Sequence, residues 1–157
     1  MNQDHLYLGK AGQAYVMSQF LVRGWNVAVP EVDIGDDMFV VRDAVGDFSR
    51  IQVKTANIVK RKSGYSAQFS VPIPQLEKSP FPELTYCFVL RAEHDWQGIV
   101  MISRMELLNL YDLSDIGSRH NDVLMLYFSL KDNQLLCSKV DLTHFLNDFS
   151  RFPKLVA

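Results

Sequence analysis

Ile51-Gln52-Val53-Lys54 alternates two β-branched aliphatic side chains with an amide and an ammonium. Alternation along an extended chain puts Ile51 and Val53 on one face and Gln52 and Lys54 on the other, so two polar groups project together from a segment that reads as buried sheet. Burying a lysine is costly unless an opposite charge or a bound phosphate compensates it, which predicts a partner close in space. The competing reading is an edge strand with a polar outer face, where Lys54 guards against edge-to-edge aggregation.

The flanking sequence favours the first reading. Period-two alternation runs from Phe48 to Ala56, preceded by the turn DAVGD (43–47) and by another β-rich run, Met38 to Arg42. Asp37 heads that run, 15 residues before Gln52, just after the turn-forming DIGD. Antiparallel pairing of the two runs would bring Asp37 level with Gln52 and Lys54. A carboxylate beside an amide oxygen suits a hard divalent cation such as Mg²⁺, with Lys54 placed to orient water or offset phosphate charge.

Further upstream, Trp25 to Val29 reads as a strand stopped by Pro30, and Leu6 to Arg23 as an amphipathic helix ended by Gly24. At about 100° per residue, Leu6, Gly9, Gln13, Val16, Met17, Phe20 and Gly24 share one face, which places Gln13 at its centre. Downstream, Tyr65 to Val71 can return as a hairpin arm, followed by a short helix over Ile73 to Lys78 with Pro74 as its first helical residue. Tyr86 to Arg91, Gly98 to Ile102 and Val123 to Leu130 read as strands, and Ser103 with Glu106 forms a capping box for a helix from Arg104 to Leu110. A final helix is expected from Asp141 or Thr143 through Phe149. The pattern predicts one α/β domain over 1–157, with a mixed central sheet of four to five strands flanked by helices.

Composition narrows the function classes. The chain of 157 residues is 48% hydrophobic and 22% charged, far from the signature of disorder. Its net charge of −2 gives no general attraction to phosphate backbones, so nucleic-acid contact must be local. The densest basic cluster, Lys60, Arg61 and Lys62, follows directly on the polar strand and is the candidate for gripping DNA, with a solvated loop as the plain alternative. Cys87 and Cys137 lie in apolar stretches and read as buried free thiols. His5, His94, His120 and His144 are too scattered for a zinc site. Gly9 and Gly12 match no phosphate-loop pattern and point to close helix packing, and no G-x-S-x-G elbow is present. The sequence lacks an N-terminal apolar leader and any long apolar run, which leads us to expect a cytoplasmic protein with no membrane partner.

GKAGQ (Gly9–Gln13) on a first helix, GWNVAVPEVDIGDD (Gly24–Asp37) and IQVKT (Ile51–Thr55) together resemble the PD-(D/E)XK nuclease-like proteins, particularly the Holliday-junction resolvases and Mrr-type restriction endonucleases. The resemblance covers roughly the first third of the chain. It implies a restriction-endonuclease-like core with Asp37 as the metal-binding aspartate. Gln52 matches the (D/E) position in its glutamine variant, as a second metal ligand, and Lys54 matches the catalytic lysine. Gln13 falls where many members carry a helix glutamate. It further implies Mg²⁺ or Mn²⁺ as cofactor, DNA as partner, hydrolysis that leaves a 5′-phosphate, and a homodimer, although no segment identifies an interface. Glutamine at both 13 and 52 leaves Asp37 as the one negative charge at the matched positions, with Glu31, Asp33 and Asp36 as nearby carboxylates. That shortage supports a second expectation, a nuclease-fold protein that binds nucleic acid or a protein partner without cutting.

Overall fold

In the computed structural model, which describes residues 3–155, helix α1 (Gln3–Leu21) leads into three strands, β1 (Asn26–Ala28), β2 (Met38–Arg42) and β3 (Asp47–Asn57). After them come the hairpin β4 (Val59–Arg61) and β5 (Gly64–Pro72), the single-turn helix α2 (Ile73–Glu77), strands β6 (Leu84–Arg91) and β7 (Trp96–Ser103), and helix α3 (Arg104–Ser114). The chain finishes with β8 (Ser118–His120), β9 (Val123–Lys131), β10 (Gln134–Cys137), β11 (Val140–Asp141) and a 3₁₀ turn at Thr143–Phe145. Residues 1–2 and 156–157, the ends of the expected domain, lie outside the described residues.

The central sheet has five strands in the order β1-β2-β3-β6-β7 and is mixed, because β3 and β6 run parallel while the other pairs are antiparallel. Both faces of β6 are covered, and its segment LTYCFVL (84–90) is accordingly buried at every position. On one face lies α1. Val16 and Phe20 meet Met38, Val40, Ile51 and Val53 there, and Phe20 sits edge-on to Phe149 and Phe152. Burying a phenylalanine of this kind contributes about 1.5–3 kcal/mol.

The other face is covered by α2, α3 and a second sheet that the sequence pattern did not reveal. It runs β11-β10-β9-β5-β4, with β8 paired to β9. Phe69 of β5 and Phe128 of β9 close on Phe88 of β6, with ring centroids 5.0 and 5.5 Å away. The expected hairpin arm is therefore also an inner strand, paired along its length with β9.

Two sequence expectations need correction. The helix expected through Phe149 is replaced by β11 and one 3₁₀ turn. Val140 and Asp141 pair with β10, and Asn147, at φ 54°, exchanges hydrogen bonds with the backbone of Ile99, so tertiary bonds outcompete local helix. The buried line of α1 is also rotated. It follows Gly12, Val16 and Phe20, while Leu6 is 53% exposed and Gln13 lies at the flank, half-buried. The cause is Gly12, where a Cβ would come within 1.8 Å of Thr55 Oγ1, so the helix docks on β3 through its missing side chain. Gly9 faces open space and has no such role. The capping box at Ser103 and Glu106 is present, and both cysteines are buried and free. Among the described residues no helix is long and apolar enough to cross a membrane.

Candidate functional site

Strand β2 begins at Met38, opposite Ile51, and Asp37 continues the ladder by one bond, Asp37 N to Ile51 O at 2.9 Å. Gly35, at φ 113°, turns the chain into that position. Val53 finds its acceptor in the Asp37 side chain, Val53 N donating to Oδ2 at 2.7 Å. Gln52 Nε2 donates to the same oxygen at 2.6 Å, and Gln13 Nε2, reaching across from α1, donates to Oδ1 at 2.6 Å. Three of the four residues singled out in the sequence thus meet directly.

Lys54 lies on Gln52's face of β3. It makes no ion pair within 4 Å among the described residues, yet it is coupled to Asp37 and Asp33 through space. Burial dominates its electrostatics and lowers its pKa, with the two aspartates opposing. Burial also raises the Asp37 pKa and Asp33 adds to the rise, against the Val53 N–H, Lys54 and Lys10. A buried carboxylate and a half-buried ammonium therefore stand near one another, neither neutralised by direct contact.

The nearby carboxylates separate. Asp36 is spent on Arg50 at 2.5 Å, and Glu31 and Asp33 are exposed, with Asp33 Oδ1 held by Gly35 N at 2.9 Å. The basic cluster separates too. Arg61 lines a cleft of about 580 Å³ with His5, Thr55, Asn57 and Tyr127, whereas Lys60 lines another of about 620 Å³ and Lys62 a third of about 440 Å³. The clefts of Arg61 and Lys60 both reach Asn57 at the end of β3, and that of Arg61 extends further along the strand, to Thr55 next to Lys54. Arg61 Nε donates to Ser66 Oγ at 2.9 Å.

Sequence reasoning passed over Lys10, Gln75 and Tyr86. Lys10 Nζ donates to Gln13 Oε1 at 2.9 Å, Gln75 Nε2 donates to Gln52 Oε1 at 3.2 Å, and the Tyr86 hydroxyl donates to Gln75 Oε1 at 3.1 Å. Lys10 sits within the quoted GKAGQ run and was legible by its i, i+3 spacing from Gln13. The other two carry no local signal.

As a cation site the cluster is short of charge. Among the described residues there is no group of three or more His, Cys, Asp or Glu side chains poised for a metal. Both Asp37 oxygens already accept N–H groups, and both amides present nitrogen to it. Asp37 with Gln13 and Gln52 still suits a hard, oxygen-seeking ion once the amides turn their oxygens inward, a rotation that exchanges two atoms of nearly equal size.

No protein-family model and no curated protein sequence matches this chain. Among solved structures, a bacterial homing endonuclease, I-Ssp6803I, is similar in fold, with a TM-score of 0.56 over 92% of this chain and 87% of that one at 14% identity. The chain therefore has a nuclease-like fold.

Proposed function

We propose that the protein is a divalent-metal-dependent DNA endonuclease of the PD-(D/E)XK type with a carboxylate-poor site at Asp37, Gln52, Lys54 and Gln13. The observation that carries this reading is the convergence of α1, the start of β2 and the middle of β3 on Asp37, with Lys54 near it and in no ion pair among the described residues. The likeness in fold to a homing endonuclease supports it. Asp37 and the amide oxygens of Gln52 and Gln13 would hold a Mg²⁺ or Mn²⁺ ion, which supplies Lewis acidity and lowers the pKa of water. Lys54 orients the attacking water by donating to it, and its charge offsets the negative charge that builds on the phosphate in the transition state. Arg61, on the adjoining cleft, contacts the DNA backbone.

The test is a cleavage assay on duplex, branched and single-stranded DNA with Mg²⁺ or Mn²⁺. Wild type should cut in a metal-dependent manner, and Lys54→Ala should be slower by at least about 100-fold. Absence of cutting by pure wild type on every substrate would overturn the reading.

The saturated hydrogen bonding of Asp37 favours a second reading, a nuclease-fold protein that binds DNA without cutting it and keeps the cluster as a polar network. In that case Lys54→Ala leaves DNA affinity unchanged, and no substrate is cleaved with either metal.

A further inference from the structure

The orientation of the Gln52 amide is set by Asp37 within the site and reinforced from outside it. Gly35 O can only accept, so the NH₂ of Gln75 must face it, at 3.1 Å. That leaves Gln75 Oε1 to accept from the Tyr86 hydroxyl at 3.1 Å. The same Gln75 nitrogen donates to Gln52 Oε1 at 3.2 Å, which leaves Gln52 Nε2 to face Asp37 Oδ2 at 2.6 Å. A backbone carbonyl fixes one end of the chain and a carboxylate the other, so no amide in it can reverse alone without setting two like atoms against each other. The approach is close: a Cβ on Gly35 would lie 3.0 Å from Gln75 Nε2, and Gly35 has the positive φ that disfavours any side chain.

We propose that Gln75 is a positioning residue that latches Gln52 with its nitrogen on Asp37, and that reversing this amide opens the site to a divalent cation. The proposal rests on the nuclease reading for its cation and on hydrogen-bond polarity alone for its latch. While the latch holds, the Gln52 dipole points its positive end where a cation would sit. Reversed, the same side chain offers an oxygen ligand. The site is thus held closed until something on the Gln75 side, or the cation itself, turns the amide.

Gln75→Glu inverts the polarity, since a carboxylate at 75 accepts from Gln52 instead of donating to it. The first readout needs no metal. In wild type the Gln52 side-chain NH₂ and the Val53 N–H share Asp37 Oδ2 as acceptor, so an NMR nuclear Overhauser contact joins them. It should weaken clearly in Gln75→Glu, where the carboxylates at 75 and 37 compete for the one NH₂, and less in Gln75→Met, which lacks a donor and serves as the milder variant. Persistence of the full contact in a folded Gln75→Glu or Gln75→Met protein overturns the latch. The second readout is thermal melting across a Mn²⁺ titration, where Gln75→Glu should bind about tenfold more tightly than wild type. Persistence of that gain in Gln75→Glu combined with Gln52→Leu would show that the new carboxylate binds the ion itself, and would overturn the proposal. Weakening of the contact with no Mn²⁺ response in any variant overturns the cation reading on which the proposal rests, and separates that failure from failure of the latch.

Discussion

Two buried charges in this molecule are treated in opposite ways. Arg104 at the start of α3 is 1% exposed and fully engaged, with Nε and Nη2 on the two Glu83 oxygens at 2.8 and 3.1 Å, Nη1 on Leu76 O at 2.7 Å and Nη2 on Ser79 Oγ at 3.3 Å. Asp37 is 8% exposed and also has its hydrogen bonds filled, but every donor is neutral and no cation pairs with it within 4 Å among the described residues. Arg104 is neutralised inside the fold and ties α3 to the α2–β6 connection. Asp37 holds a charge that Lys54 and Lys10 offset only through space, and burial outweighs them and raises its pKa. A charge that serves structure is paired locally, whereas one left short of countercharge is available to something from outside.

The sharpest way to break this comparison is Glu83→Ala, which strands the Arg104 guanidinium. A loss of roughly 3 kcal/mol is expected in urea unfolding, because a buried ion deprived of its partner retains its desolvation cost. A loss below about 1 kcal/mol would show that Leu76 O and Ser79 suffice, and Arg104 would cease to be the structural counterpart of Asp37.

Asp37→Asn should be far milder for the fold. It keeps an acceptor for Gln52 and Val53, turns an NH₂ toward the half-buried Gln13, whose amide must reverse to accept from it, and removes a charge that burial disfavours, so urea unfolding should shift by no more than about 1 kcal/mol. The same change should abolish the proposed metal-dependent cleavage and any thermal stabilisation by Mn²⁺. Large destabilisation with activity intact would reverse the roles assigned to the two centres.

Arg61 extends the comparison to an exposed cation, bonded to the Ser66 hydroxyl but to no carboxylate among the described residues. Arg61→Gln should weaken DNA binding a few-fold and lower the slope of log affinity against log salt by about 1, whereas Lys62→Gln, on a different cleft, should do less. Equal effects would return the whole cluster to the role of a diffuse basic loop.

The smallest effect is expected at Glu106, where burial alone would raise the carboxyl, but Arg151 and the Ser103 donors outweigh it and lower the pKa from its ordinary 4.5. A depressed carboxylate contributes stability that is present above pH 4.5 and lost as the pH falls through the folded value. Glu106→Gln keeps the capping box but loses the charge. Its urea stability should lie below wild type by under about 1 kcal/mol at neutral pH and converge with it in acid. A gap that persists in acid would assign the effect to the cap instead of the charge.

The chemistry of the site was legible early because strand alternation is local. Ile51–Lys54 divides its side chains by parity, and that alone put Gln52 and Lys54 on one face, with Asp37 at the head of the preceding strand. The Ser103–Glu106 box was equally local, its two hydrogen bonds closing within three residues. The second sheet was not legible, because its main pairing joins β5 to β9 across the chain, Phe69 to Leu126, and no short-range pattern specifies that partner. For the same reason Lys60, Arg61 and Lys62 read as one patch but point into three clefts. On α1, periodicity placed Leu6 in the buried stripe, and the close packing expected at Gly9 and Gly12 is found at Gly12 alone, against Thr55.

Sequence by itself therefore determined which residues carry the charges and amides and which strand faces they occupy. Tertiary structure alone decided how those amides are turned. A glutamine side chain can present oxygen or nitrogen at nearly equal steric cost, and the choice is made by obligate donors and acceptors that the fold brings to each end: Asp37 and Lys10 for Gln13, and Asp37 with Gly35 O acting through Gln75 for Gln52.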